Sequence, residues 1–148
     1  MKANKKLLIL LCAVSALALT ACGSKSYADG TYKAQSQEYV NDEDDSTAGN
    51  GYGVVELTIS GGAITACDFK TYELDGTLKD AEYGKENGEI ANKDFYNKAQ
   101  KAVQGSAQYG QLLVEAGSPD GVDSISGATI SYNEFLDAVS DALDKAQE

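Results

Sequence analysis

The sequence predicts an α+β domain in which a small antiparallel sheet packs with about three helices. Two observations carry that expectation. Residues 52–60 alternate, with Val55, Leu57 and Ile59 set between Val54, Glu56, Thr58 and Ser60, and after Gly61-Gly62 residues 63–72 return with strand character. Period-two alternation marks a half-buried strand, and a Gly-Gly pair supplies the positive-φ positions of a tight hairpin. The second half of the chain instead carries helical spacing bounded by start and stop signals.

Taken in order, the domain opens at Asp29-Gly30, and residues 31–40 read as a modest first strand. Residues 41–50 are rich in acid, Ser, Thr and Gly. Asp42-Glu43-Asp44-Asp45 lacks the Asp/Asn-x-Asp spacing with a following Gly and distal Glu that a calcium loop needs, so a solvated loop is expected there. After the hairpin, Asp75-Gly76 marks a turn and residues 78–91 form a polar, Gly-punctuated loop. Asn92 caps a helix running to about residue 104, with Phe95, Ala99, Ala102 and Val103 on one side and Gly105 breaking or bending it. Residues 106–116 resume helical character until Gly117 and Pro119 stop it, and Asp120-Gly121 turns the chain. Ser131 and Glu134 read as an S-x-x-E capping box with Ile130 and Phe135 at the staple positions. A last helix is therefore expected to start at Ser131 and to bury Phe135, Leu136, Val139, Ala142 and Leu143.

Composition excludes several functions. The chain of 148 residues suffices for one core, and 23 acidic against 12 basic residues give a net charge of -11. Such a body repels nucleic acid and anionic membrane surfaces, so neither is an expected partner. With no His there is no Ser-His-Asp or Cys-His pair and no His-ligated zinc or haem within the chain. Hard chemistry, if any, falls to a bound cofactor, and the chain is not expected to be an enzyme or to hold a metal.

The N-terminus reads as an export signal. Residues 1–6 are basic, and residues 7–19 form an apolar run interrupted only by Ser15, too short for a comfortable membrane span. The run ends in Leu19-Thr20-Ala21-Cys22, which resembles the lipobox of bacterial lipoproteins. That resemblance implies cleavage before Cys22, diacylation (palmitate-type chains) of its side chain and anchoring on the outer, extracytoplasmic face of the cell membrane. Two or more acyl chains are what stable anchoring requires, because each buried CH₂ contributes about 0.8 kcal/mol. The expected organisation is a signal peptide at 1–21, a lipidated Cys22 with tether at 22–29 and one domain at 30–148. Cys12 then leaves with the signal and Cys22 is lipidated, so Cys67 stays alone in a strand, where a free Cys is most often a small buried hydrophobe.

The stretch at 123–131, D-S-I-S-G-A-T-I-S, carries the chemistry. Ser126, Gly127 and Ala128 let the backbone lie close to another molecule and leave the Thr129 hydroxyl clear of bulky neighbours. A helix N-terminus just beyond offers unpaired N–H groups and a positive dipole end, which favour a phosphate. The plain alternative is that Gly127 supplies a turn before a helix and nothing more.

Asp123, Ser126, Gly127, Ala128 and Thr129 match the D-x-x-S/T-G-A-T signature of the FMN-binding domain family, which the chain resembles. The Asp29-Gly30-Thr31-Tyr32 start and the hairpin around Gly61-Gly62 look like the front half of FMN-binding lipoproteins. The resemblance implies that a separate Mg²⁺-dependent flavin transferase, using FAD, joins FMN by a phosphoester to the Thr129 oxygen. Asp123 and Gly127-Ala128 would then serve recognition by that transferase. Such a protein carries electrons between a donor and an acceptor that the sequence leaves unidentified. Tyr72, Tyr83, Tyr96, Tyr109 and Tyr132 are candidate stacking neighbours for the flavin ring, with Tyr132, three residues after Thr129, the first to test. The rival expectation is a ligand-binding or surface-antigen lipoprotein without covalent flavin.

Overall fold

The hairpin forms with the expected bounds. In the computed structural model, which describes residues 25–42 and 48–147, strand β2 is Tyr52–Ser60 and strand β3 is Ala63–Tyr72. Gly61 and Gly62 take φ of 61° and 76° at the turn, the left-handed values that match the twist of a two-residue hairpin. Residues 1–24, which include the expected signal peptide and Cys22, and residues 43–47 of the acidic run lie outside the described residues.

β1, Gly30–Gln35, pairs antiparallel with β2 and gives a three-stranded sheet of order β1-β2-β3. It stops five residues short of the expected end. The cause is Ser36: its hydroxyl accepts the Gly53 N–H at 2.9 Å and donates to Gln37 O at 2.8 Å, drawing the chain out of the ladder. Pairing resumes only at a single Tyr39–Gly51 bridge.

Helix α1 is Lys93–Ser106, capped as expected by Asn92, whose side chain accepts from Phe95 N–H at 3.0 Å. The helix ends one residue past Gly105, and residues 107–108 separate it from the next helix. A Cβ on Gly105 would lie 2.6 Å from the Ala128 Cβ, so glycine is what lets α1 approach the segment before the last helix. Helix α2 is Tyr109–Ala116 and ends on Gly117 in the left-handed conformation, φ 74°. A short 3-10 turn, Pro119–Gly121, follows, and helix α3 is Thr129–Ala146.

One face of the sheet carries the core. Val55, Leu57 and Ile59 of β2 are buried, as the alternation requires, and α3 covers them with Phe135, Ala138, Val139, Ala142 and Leu143. Each Val, Leu, Ile or Phe side chain so removed from water contributes about 1.5–3 kcal/mol, and the alanines less. α2 packs on β3, and an added Cβ at Gly110 would meet the Cys67 carbonyl oxygen at 2.4 Å, so helix backbone lies almost directly on strand. Phe69, Tyr109 and Phe135 meet at the centre, with Phe135 centroids 5.2 Å from both neighbours. Cys67 is half-buried at the edge of this core, and burial with Asp68 beside it pushes its thiol up to about 12. Among the described residues no helix is long and apolar enough to cross a membrane.

Candidate functional site

α3 starts three residues earlier than the capping-box pattern, with Ser131 as N-cap, predicts. Ala128 is the N-cap, with no side-chain bond closing the helix end, and the first ladder bond runs from Tyr132 N–H to Ala128 O at 2.9 Å. Ser131 is therefore the third helical residue and buried, and Glu134 points inward on the same stripe as Phe135 and Ala138. The sequence pattern misled because Gly127, at φ 89°, turns the chain left-handed one step before Ala128 and lets the ladder begin early. Thr129 is consequently at the first helical position and exposed. The N–H groups of Thr129, Ile130 and Ser131 precede the ladder, and Ala128 offers them no side-chain acceptor.

Two tyrosine hydroxyls pin the segment that delivers Thr129. Tyr109, fully buried on α2, accepts Ile125 N–H at 3.0 Å and donates to Ala128 O at 3.1 Å. Tyr132 donates to Val122 O at 2.7 Å, and its ring lies against Tyr109 at 5.6 Å. The segment between is thus held at both ends and in the middle. Gly127 faces the aliphatic stem of Lys101, which would sit 2.8–3.1 Å from any added Cβ.

Thr129 stands at the rim of a cleft of about 250 Å³. α3 and its lead-in supply Gly127, Ala128, Thr129, Ile130 and Ser131; α1 supplies Ala102 and Val103; Gly49, Thr71, Lys79 and Tyr83 complete the lining. The walls are mostly apolar, with one cation. Lys79 is 8% exposed; its Nζ donates to Gly49 O at 3.0 Å and lies 5.3 Å from the Tyr83 ring centroid. Burial lowers the Lys79 pKa from its ordinary value, opposed by the negative fields of Glu134 and Glu73. Glu134 is 4% exposed, and neither carboxylate oxygen has a hydrogen-bond partner. Burial pushes its carboxyl up to about 7, against the pull of Lys79.

The sequence-predicted residues divide in space. Gly127, Ala128 and Thr129 line the cleft, whereas Asp123 and Ser126 are exposed on the segment leading to it. Tyr132 is not on the cleft wall, because its hydroxyl and ring are engaged by Val122 and Tyr109. Of the five candidate tyrosines, Tyr83 lines the cleft. Lys79, Glu134 and the clamp made by Tyr109 are the functional features that sequence reasoning missed. Glu134 was in view only as half of a capping box, and Lys79 sits in a loop without any periodic signal.

The residues present fit a flavin mononucleotide. An apolar slot with an aromatic wall suits a flat ring, a buried cation suits its electron-rich edge, and an uncapped helix end beside a free hydroxyl suits its phosphate.

The architecture recurs among solved structures. A crystal structure of a Clostridium perfringens protein aligns with TM-score 0.53 at 21% identity, covering 81% of this chain and 88% of the other, and so shares the fold. A solution structure of a Clostridium thermocellum protein aligns at 24% identity and TM-score 0.44, covering 81% and 92%. No curated protein matches the chain. The family model described as FMN-binding domain matches residues 49–144, a span that holds β2, β3, all of α1 and α2, the cleft and most of α3, and the chain therefore belongs to the FMN-binding domain family.

Proposed function

We propose that the protein is an extracytoplasmic electron carrier whose FMN is joined through its phosphate to the Thr129 oxygen. The observation that carries this reading is the placement of Thr129: exposed, first in an α3 that has no side-chain cap, at the rim of an apolar cleft. The hydroxyl is accessible to a transferase, and a phosphate on it lies at the N–H groups of Thr129, Ile130 and Ser131. Asp123 and Ser126, exposed on the lead-in, are available to that transferase, while Gly127 keeps the backbone open to close approach. Ala102, Val103, Ile130 and Tyr83, which line the cleft, would exclude water from the ring, and Lys79 would offer it a positive charge. The flavin supplies the electron chemistry, which a chain without His or metal-binding clusters among its described residues does not itself provide. Cys22, outside the described residues, would be lipidated and hold the domain at the outer membrane face, where the donor and acceptor meet it.

The test is mass spectrometry of the peptide containing Thr129 after co-expression with a flavin transferase. Thr129→Ala must remove an FMN-sized adduct completely while leaving the fold intact, since exposed substitutions usually change stability by less than about 0.5 kcal/mol. Thr129→Ser keeps an acceptor oxygen and should retain part of the loading. A yellow wild-type protein whose peptide carries no adduct would show non-covalent flavin, and a colourless one would return the chain to the non-redox binding lipoproteins.

A further inference from the structure

Lys79 and Glu134 stand out from the ion pairs found among the described residues. The ion pairs Lys70–Asp68, Lys85–Glu82 and Lys145–Asp141 are at the surface, where such pairs contribute little. Lys79 and Glu134 are both more than nine-tenths buried, and each feels the other's field, yet among the described residues no ion pair joins them. A buried ammonium has three donors. The structure gives Lys79 one carbonyl, that of Gly49, and the face of Tyr83. A carboxylate left with both oxygens unpartnered inside a protein is costly unless it is neutral or answered by a nearby cation.

We propose that Lys79 is the binding residue for the electron-rich carbonyl edge of the flavin ring, and that Glu134 is a positioning residue whose proton sets how much of the Lys79 charge the ring feels. The proposal rests on the flavin reading above and names what that site does to its ligand. Lys79, Gly49 and Tyr83 line the same cleft as Thr129, so the cation shares a cleft with the attachment point. Glu134 lines a second cleft, which shares Ile130 with the first, together with Ser36, Gln37, Glu38, Tyr39, Asn133 and Asp137. Two-electron reduction with uptake of one proton leaves the ring with one negative charge, and a cation beside its carbonyl edge favours that state. When Glu134 is neutral, the Lys79 charge acts undiminished; when Glu134 ionises, part of that field is cancelled. The other titratable groups around the pair are Glu73 and Tyr83 on the Lys79 side and Glu38, Tyr39 and Asp137 on the Glu134 side. Glu38 and Asp137 are exposed, and Asp137 accepts from Gln37 N–H, so solvent damps their effect.

The experiment uses the full chain, loaded by co-expression with a flavin transferase, with the flavin potential followed from about pH 5 to about pH 9 during dithionite titration. Lys79→Met is expected to lower the potential and Lys79→Arg to restore most of it. Glu134→Gln is expected to match wild type at about pH 5 and to lie above it at about pH 9, where only the wild type carries the cancelling charge. A second readout needs no flavin: in the unloaded chain, the Glu134 carboxyl band, identified in infrared difference spectra against Glu134→Gln, should titrate near 7 and move upward in Lys79→Met. Should Lys79→Met fail to fold, the Glu134→Gln comparison decides alone. A loaded protein in which Glu134→Gln tracks wild type across the whole range, or in which Lys79→Met leaves the potential unchanged, overturns the inference and leaves the attachment site standing. A wild-type chain that takes no flavin overturns the flavin reading, and the inference with it, whatever the infrared titration shows.

Discussion

Replacing Glu134 by Gln should make the fold less sensitive to pH, and the size of the effect follows from its burial. The carboxyl is raised from 4.5 to about 7, chiefly by loss of hydration and in spite of the Lys79 charge. A group whose folded pKa is raised binds its proton more tightly in the native state. Its contribution is therefore fully present below the unfolded value and is lost as pH rises through the folded one. At about 1.4 kcal/mol per unit, the gap between 4.5 and about 7 makes wild type less stable by about 3 kcal/mol above pH 8 than below pH 4, from this residue alone. Gln has the same shape and no proton to lose, so that pH-dependent part disappears. Its amide is also buried without partners, which adds a constant offset that leaves the pH dependence untouched. The assay is urea unfolding of both proteins at a series of pH values, reading the difference in stability rather than either curve. That difference should shift towards the Gln variant by about 3 kcal/mol between pH 4 and pH 9, with its midpoint between the two pKa values. Two stability profiles that stay parallel across this range would show that Glu134 is hydrated or paired in solution, and would refute the burial argument.

Three further outcomes are expected. Tyr109→Phe strips Ile125 N–H and Ala128 O of a buried partner and should cost about 1–3 kcal/mol, read by urea unfolding. It should also lower flavin loading at temperatures where the protein is still folded, because the segment delivering Thr129 loses its central clamp; unaltered loading would show that the clamp serves stability only. With its thiol pushed up to about 12, Cys67 should carry about one part in 10⁴ of thiolate at pH 8, so a disulfide reagent should modify it slowly in the native protein and quickly after denaturation. Cys22→Ala should release the protein from the membrane fraction or leave an uncleaved precursor, and a processed variant bound as firmly as wild type would remove the lipid anchor from the proposal.

The parts of the fold that were legible share one property: the local pattern and the tertiary environment ask for the same thing. Val55, Leu57 and Ile59 alternate in sequence and are buried on one face, and Asn92 is a good cap that the fold lets cap. β1 was overextended because its end is set by the Ser36 hydroxyl reaching Gly53, a contact across 17 residues. Gly105 looked like a helix breaker, since intrinsic propensity penalises it; α1 ends one residue past it, and its role is to admit the Ala128 methyl. The site was legible at Thr129 and Gly127, where composition speaks locally. Lys79 was not, and Tyr83 stood only as one of five candidate tyrosines, because a cleft assembled from β3, a loop, α1 and α3 leaves no spacing rule behind.

The misread start of α3 bears on the function itself. A Ser, Thr, Asp or Asn at position 128 would place a side-chain oxygen on the orphan N–H groups and typically adds about 1 kcal/mol to a helix. Ala128 can do neither, and its methyl is held in place by α1 at Gly105 and by the Tyr109 bond to its carbonyl, so a larger polar side chain would have no room. The core therefore forces an uncapped helix end at the one point where Thr129 reaches the surface. A side-chain cap would compete for the same N–H groups with any phosphate carried on the Thr129 oxygen, and its absence leaves them to the ligand. The α3 end is left without a side-chain partner where the proposed cofactor attaches, which is the relation expected of a site whose missing partner is not part of the chain.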